Sequence, residues 1–181
     1  MTIKLGEHLN KAVKDAQAFS QGEYSRPEIA RIGIKSMDLT SLKGNETKSD
    51  IQNLCDKAAR HGTASVCIYP AYVGDAREAF CLKNANTIIA TVINFPAGNK
   101  KTLSDAPATP ESTAEDVSRA IAQGARQIDI VLPHEDFRNG DVDYCRSLLE
   151  ACREACDETI DMKVILETSS FEDGDALRDA C

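Results

Sequence analysis

An aspartate at 129 and a lysine at 163 sit inside short, apolar, β-branched segments, Gln127–Leu132 and Met162–Thr168, where charge is out of place. Strands buried on both faces of a parallel sheet read as nearly continuous apolar runs, because an unpaired charge in a core is costly or neutralises itself. By the strand period of two, Asp129 and Val131 share one face, while Ile128, Ile130 and Leu132 share the other. Lys163, Ile165 and Glu167 oppose Met162, Val164 and Leu166 in the same way. Three earlier segments bend the rule as well. Asp38 and Thr40 close one, Cys67 shares a face with Ser65 and Tyr69 in the next, and Asn94 stands near the end of a third. If the apolar faces pack on helices, the second faces converge, and acids, a lysine, a thiol and an amide meet in one interior. In a barrel such a set is an active-site lining. A plainer reading stays open: each polar group is satisfied separately, for example Lys163 paired with Asp129 or Glu167.

The elements that position these residues follow from two alternating patterns after residue 31. Short apolar runs predict strands at Ile32–Leu39, Ala64–Tyr69, Thr87–Phe95, Gln127–Leu132 and Met162–Thr168. Between them, Ile51, Leu54, Cys55 and Ala58 follow the stripe of an amphipathic helix, with Gly62 just past its end. Val142, Cys145, Leu148, Leu149 and Cys152 make a second stripe. A third helix has Ser112 and Glu115 at capping-box spacing and Gly124 at its close, after a surface loop insertion at Asn99–Thr113. Leu5, Leu9, Val13, Ala16 and Phe19 predict a helical N-terminal extension over residues 1–26, with Gly22 to Pro27 as linker, ahead of a strand–helix domain over 27–181.

Composition narrows the function classes. The net charge of −8 disfavours nucleic acid as a partner. No apolar run approaches the roughly 20 residues that span a bilayer, and residues 1–25 lack the apolar core of a signal peptide, so no membrane association is expected and the cytoplasm is the expected compartment. Seven cysteines without a C-x-x-C pair argue against a disulfide framework and a zinc knuckle. Cys145, Cys152 and Cys156 stack on one helical face, where thiols pack as small hydrophobes. His8, His61 and His134 fit no triad or metal spacing and read as surface or cap residues.

Five strand–helix units leave two architectures: a complete doubly wound sheet, or part of a (β/α)8 barrel, which takes about 250 residues. The polar strand faces favour the barrel, since they make an active-site lining there. A doubly wound phosphate-binding sheet needs a glycine-rich turn after its first strand, and the chain from Asp38 to Gly44 reads DLTSLKG.

Five segments, KSMDLTSL (35–42), ASVCIYP (64–70), IATVINFPAGN (89–99), QIDIVLP (127–133) and MKVILET (162–168), together resemble the deoxyribose-phosphate aldolases, in the family's order. The resemblance covers residues 31–181 and leaves the first 25–30 residues out. It implies an α/β fold of the class I aldolase type, a (β/α)8 TIM barrel truncated after about five βα units. The implied activity is that of a carbon–carbon lyase of deoxyribonucleotide and carbohydrate catabolism. It cleaves the phosphosugar 2-deoxy-D-ribose 5-phosphate reversibly into acetaldehyde and D-glyceraldehyde 3-phosphate through a lysine Schiff base, with no metal or other cofactor. On this resemblance Asp129 is the proton-relay acid, and Asp38, Thr40, Cys67, Asn94, Lys163 and Glu167 line the substrate site. Cys67 is a neighbour of the chemistry, not its nucleophile. The family carries its imine-forming lysine on the sixth strand and its assisting lysine on the seventh, so the 181 residues are expected to be inactive alone. Two unpaired sheet edges leave room for a homodimer. The competing expectations are a non-catalytic doubly wound ligand-binding domain and another phosphosugar aldolase of the same fold.

Overall fold

The computed structural model describes Lys14 and residues 24–82, 87–98, 108–172 and 174–181. The expected helix of residues 1–26, apart from Lys14 and residues 24–26, the core of the 99–113 insertion and His8 lie outside the described residues. Helix α1 spans Arg26–Lys35, begun by a reciprocal cap in which the Ser25 backbone N–H donates to Glu28 at 2.8 Å, with Pro27 in its first turn. This corrects two expectations: Gly22 to Pro27 is not all linker, and Ile32–Lys35 is helical. The β-branched look of RIGIK is overridden by a helix already nucleated at Ser25, and strand β1 is the short Asp38–Ser41.

Helix α2, Lys48–His61, has Thr47 and Asp50 capping each other and Gly62 closing it in the left-handed region at φ 70°. Its stripe Ile51, Cys55 and Ala58 is buried, as the periodicity predicts. Strand β2, Ser65–Ile68, is followed by helix α3, Val73–Cys81, which sequence periodicity did not single out. Strand β3 is Ile88–Ile93. Helix α4, Pro110–Gln123, starts three residues earlier than expected: Thr109 is the cap, its hydroxyl accepting from the Ser112 N–H at 3.1 Å, and Pro110 occupies the first turn. Residues 110–113 therefore belong to the helix and not to the loop insertion. Strand β4, Gln127–Val131, short helix α5, His134–Arg138, helix α6, Val142–Glu154, strand β5, Asp161–Ile165, and helix α7, Gly174–Ala180, complete the series.

The strands form one sheet in the order β1-β2-β3-β4-β5, every pair parallel. A doubly wound sheet reverses its strand order at a switch point, whereas this order runs one way. Right-handed crossovers then put every connecting helix on the same side. That side carries the main core, in which Val66, Ile68, Ile89, Ile128 and Ile130 of the strands meet Ile51, Val73, Val117 and Leu148 of the helices. Each fully buried aliphatic side chain there contributes about 1.5–3 kcal/mol. Cys152 and Cys156 are buried with it, in the packing role their spacing predicts, and Cys145 is buried with its thiol 3.5 Å from the Pro133 carbonyl oxygen. The opposite, concave side holds a smaller apolar group, Cys67, Ala90 and Val92 with Leu42, Tyr69 and Phe95. The chain thus builds five consecutive βα units of a (β/α)8 barrel.

Candidate active site

Strand register assembles the concave face row by row. Asp38 lies beside Ser65, Thr40 beside Cys67, and Cys67 beside Ala90. Ala90 lies beside Gln127, and Asp129 is flanked by Val92 and Lys163. On that face Lys163 Nζ lies 2.7 Å from Asp38 Oδ2 and 3.2 Å from Asp129 Oδ2. Ser65 Oγ donates to the other oxygen of Asp38 at 2.6 Å. Gln127 Nε2 donates to Asp129 Oδ1 at 3.2 Å, and Cys67 Sγ approaches Asp129 Oδ2 at 3.9 Å. Asp129 is 6% exposed.

The electrostatics differ residue by residue. Burial dominates at Asp129 and raises its pKa above the ordinary aspartate range, although the Lys163 charge, hydrogen bonds from Lys163 and one from Gln127 all pull the other way. Burial also opposes ionisation at Asp38, but hydrogen bonds from Lys163 and Ser65 and the Lys163 charge together hold it below the ordinary range. At Lys163 burial works against the ammonium, and the hydrogen bond to Asp38 with the charge and hydrogen bond of Asp129 outweigh it, so its pKa is raised. Burial, reinforced by the Asp129 and Asp38 charges, pushes the Cys67 thiol up to about 12. The site therefore contains a buried carboxyl with a raised pKa, a second carboxylate and a firmly protonated amine. A carboxyl that holds a proton more tightly than usual suits general acid–base transfer.

Of the residues singled out from sequence, Asp38, Cys67, Asp129 and Lys163 meet here. Thr40 is on the same face but exposed, its hydroxyl donating to the Asp38 backbone carbonyl at 2.9 Å. Asn94 follows β3 in the left-handed region at φ 57°, and its amide donates to the Val131 carbonyl at 3.1 Å, tying the loop after β3 to the end of β4. Glu167 departs from the strand alternation: at φ 51° it leaves the β5 line, and its carboxylate accepts from the Ser169 hydroxyl at 3.0 Å. His134, expected as a surface or cap residue, is 7% exposed at the start of α5. Gln127 was passed over in sequence, although it has the same parity in β4 as Asp129 and that parity was the available signal.

A one-way parallel arc with acids and an amine gathered on its concave face defines a barrel-type α/β protein with its chemistry inside the curve. Residues 32–175 match the model of the DeoC/LacD family of aldolases. A deoxyribose-phosphate aldolase of Agrobacterium fabrum is 38% identical over 161 residues, covering 87% of this chain and 59% of that protein. The chain belongs to the DeoC/LacD aldolase family. It spans 59% of the length of that curated relative. In fold it is similar to a candidate deoxyribose-phosphate aldolase from Coccidioides immitis, with a TM-score of 0.72 at 24% identity, covering 98% of this chain and 67% of that one. It is also similar to the tetrameric deoxyribose phosphate aldolase from Aeropyrum pernix, with a TM-score of 0.59 at 22% identity, covering 83% and 59%. Among the described residues no helix is long and apolar enough to cross a membrane.

Proposed function

We propose that this chain supplies the first five units, and the acid–base half of the site, of a deoxyribose-phosphate aldolase. The observation that carries the reading is Asp129, 6% exposed, held between the Gln127 amide and the Lys163 ammonium on the concave face. In the proposed reaction the C1 aldehyde of 2-deoxy-D-ribose 5-phosphate condenses with a lysine amine and loses water. Asp129, directly or through a water, accepts the proton of the C3 hydroxyl as the C2–C3 bond breaks. The bonding electrons move to the iminium and leave an enamine and D-glyceraldehyde 3-phosphate. Asp129 returns the proton at C2, and hydrolysis of the imine frees acetaldehyde and the lysine.

Lys163 is the only lysine within the five strands, and its raised pKa keeps it charged. An imine-forming lysine needs its free amine, so Lys163 serves as counter-ion and the nucleophile lies outside β1–β5. Asp38, Thr40, Cys67 and Asn94 border the substrate, and Glu167 keeps a rim position. The apolar wall of Leu42, Tyr69 and Phe95 beside the cluster supports a substrate with a methylene at C2 in preference to a 2-hydroxy sugar. The remaining parts of the reading are a barrel over residues 27–181 preceded by a separate extension, a cytoplasmic setting in deoxyribonucleotide catabolism, and self-association.

Reductive trapping tests it. With 2-deoxy-D-ribose 5-phosphate and borohydride, this chain alone is expected to gain no adduct. Fused at Cys181 to the remaining barrel units of the Agrobacterium fabrum relative, it is expected to cleave the sugar and to be trapped on a lysine of the added part. Asp129→Asn is expected to lower cleavage by the fusion about 100-fold or more. An adduct on Lys163, or undiminished cleavage by the Asp129→Asn variant, overturns the assignment.

A further inference from the structure

We propose that Gln127 is a positioning residue of this site, its neutral amide fixing the orientation and proton balance of Asp129 from the same strand. The inference rests on the aldolase reading for its catalytic meaning, but on geometry alone for its physical content. Asp129 is 6% exposed, so each carboxylate oxygen needs a donor from the protein. Oδ2 has the Lys163 ammonium at 3.2 Å. Oδ1 has the Gln127 amide at 3.2 Å. The neighbours of Asp129 in the row are Val92, which has no polar side-chain atom, and Lys163, already engaged at Oδ2. Gln127 is itself only 9% exposed, so water cannot readily replace it. Its amide also helps to stabilise the ionised form of Asp38, which places it between the two acids.

An amide suits this place because it carries both a donor and an acceptor. While Asp129 is ionised, the N–H side faces it. When Asp129 takes up a proton, a half-turn of the amide presents the carbonyl to the new O–H. Gln127 therefore serves both states of a residue that must exchange a proton, and adds no charge. The charged and titratable groups facing Asp129 are Asp38 from β1, Cys67 from β2 and Lys163 from β5; β3 contributes none beside it. With Cys67 a neutral thiol, two carboxyls share one ammonium. A glutamate at 127 would make three acids against one cation, and a methionine would fill the same volume without a donor.

The experiment is a carbon-13 titration of the Asp129 carboxyl in this chain and in its Gln127→Met and Gln127→Glu variants, without substrate. The midpoint is expected to rise in both, by about one pH unit in Gln127→Glu, where a like charge is added and a donor lost. The methyl shifts of Ile128 and Ile130 should stay in place, which separates loss of positioning from loss of fold. An unmoved midpoint in a folded Gln127→Met variant overturns the proposal. If that variant does not fold, an unmoved midpoint in Gln127→Glu does so instead. Because no turnover is measured, failure of the aldolase reading leaves this result standing, and an active aldolase with an unmoved midpoint refutes the role of Gln127 alone.

Discussion

Lys163 and Asp38 are joined by an ion pair of 2.7 Å although they stand on the two outermost strands of the sheet. Adjacent strands are spaced about 4.8 Å, so in a flat sheet β1 and β5 would lie about 19 Å apart, further than the two side chains can reach together. The contact therefore requires the sheet to curl, and it reports the curvature directly. Asp129 joins the same ammonium from β4, so one cation ties three strands across the hollow of the arc.

Replacing Lys163 by methionine should leave Asp38 and Asp129 facing each other with no cation. Lys163 is 48% exposed, so solvent screening limits the loss to about 1 kcal/mol at pH 7. Asp38 titrates below its ordinary value in the folded protein, so its contribution is present above the unfolded aspartate pKa and is lost as pH falls through the folded one. Asp129 acts oppositely: its raised pKa means its contribution declines as pH rises through the interval above the ordinary value. Urea unfolding at pH 7 and pH 3 should show the Lys163→Met penalty at the first and a smaller one at the second. An equal penalty at both would mean that the methylene stem, not the charge, matters.

Glu46 folds back under the turn after β1. It accepts from the Ser41 hydroxyl at 2.7 Å and from the Lys43 and Gly44 backbone N–H groups at 2.8 and 3.0 Å. Burial opposes its charge, but the Lys43 N–H, the Ser41 hydroxyl and further backbone donors hold its pKa below the ordinary glutamate value. Glu46→Ala should cost about 2 kcal/mol at pH 7, because three donors lose their acceptor. The difference from the parent should shrink as pH falls through the lowered pKa, measured by the same unfolding series.

Gly98 holds the loop after β3 against the end of β4. At φ 64° its backbone suits glycine, and a Cβ there would overlap the Leu132 carbonyl oxygen and press on Pro133 Cα at 3.2 Å. Gly140, at φ 90°, has nothing within 4 Å of the same atom. Gly98→Ala is therefore expected to cost about 3 kcal/mol or more, and Gly140→Ala about 1 kcal/mol. Denaturant midpoints of the two variants decide it, and equal losses would remove the steric argument.

Cys67 offers a kinetic check on the site's field. With its thiol at about 12, the thiolate fraction at pH 8 is on the order of one in ten thousand. Cys81 and Cys181 are exposed. Iodoacetamide followed by peptide mass mapping should label those two first and leave Cys67 unmodified over the same interval. Early modification of Cys67 would show that burial and the neighbouring carboxylates do not suppress its ionisation.

Much of the site was legible because strand alternation depends only on local backbone geometry. Asp129 against Ile128 and Ile130, and Lys163 against Met162, fall on the faces their parity predicts, while Val164 lies on Met162's side but is 38% exposed. What alternation misses are the places where the backbone departs from it. Asn94 and Glu167 both take positive φ without being glycine, a state set by tertiary packing that residue type does not announce. Helix starts differ from those the sequence pattern predicts. Ser112 with Glu115 looks the stronger signal, yet Thr109 followed by Pro110 begins α4. At α1 the Ser25–Glu28 box stands just ahead of an isoleucine-rich run that resembles a strand, and the box decides the local structure. The partners of Lys163 could not be separated in sequence. Asp129 was one candidate, but Asp38, 125 positions away, becomes a neighbour only through curvature.

The one-way strand order also bears on how the molecule is made. Each strand needs only its immediate predecessor for backbone pairing, so the sheet can grow at one margin as the ribosome releases it. Asp38 and Asp129 emerge before their shared cation. The ammonium that joins Asp38 to Asp129 comes from β5, the last of these five strands in chain order, so the contact that spans the hollow can form only once that strand is in place.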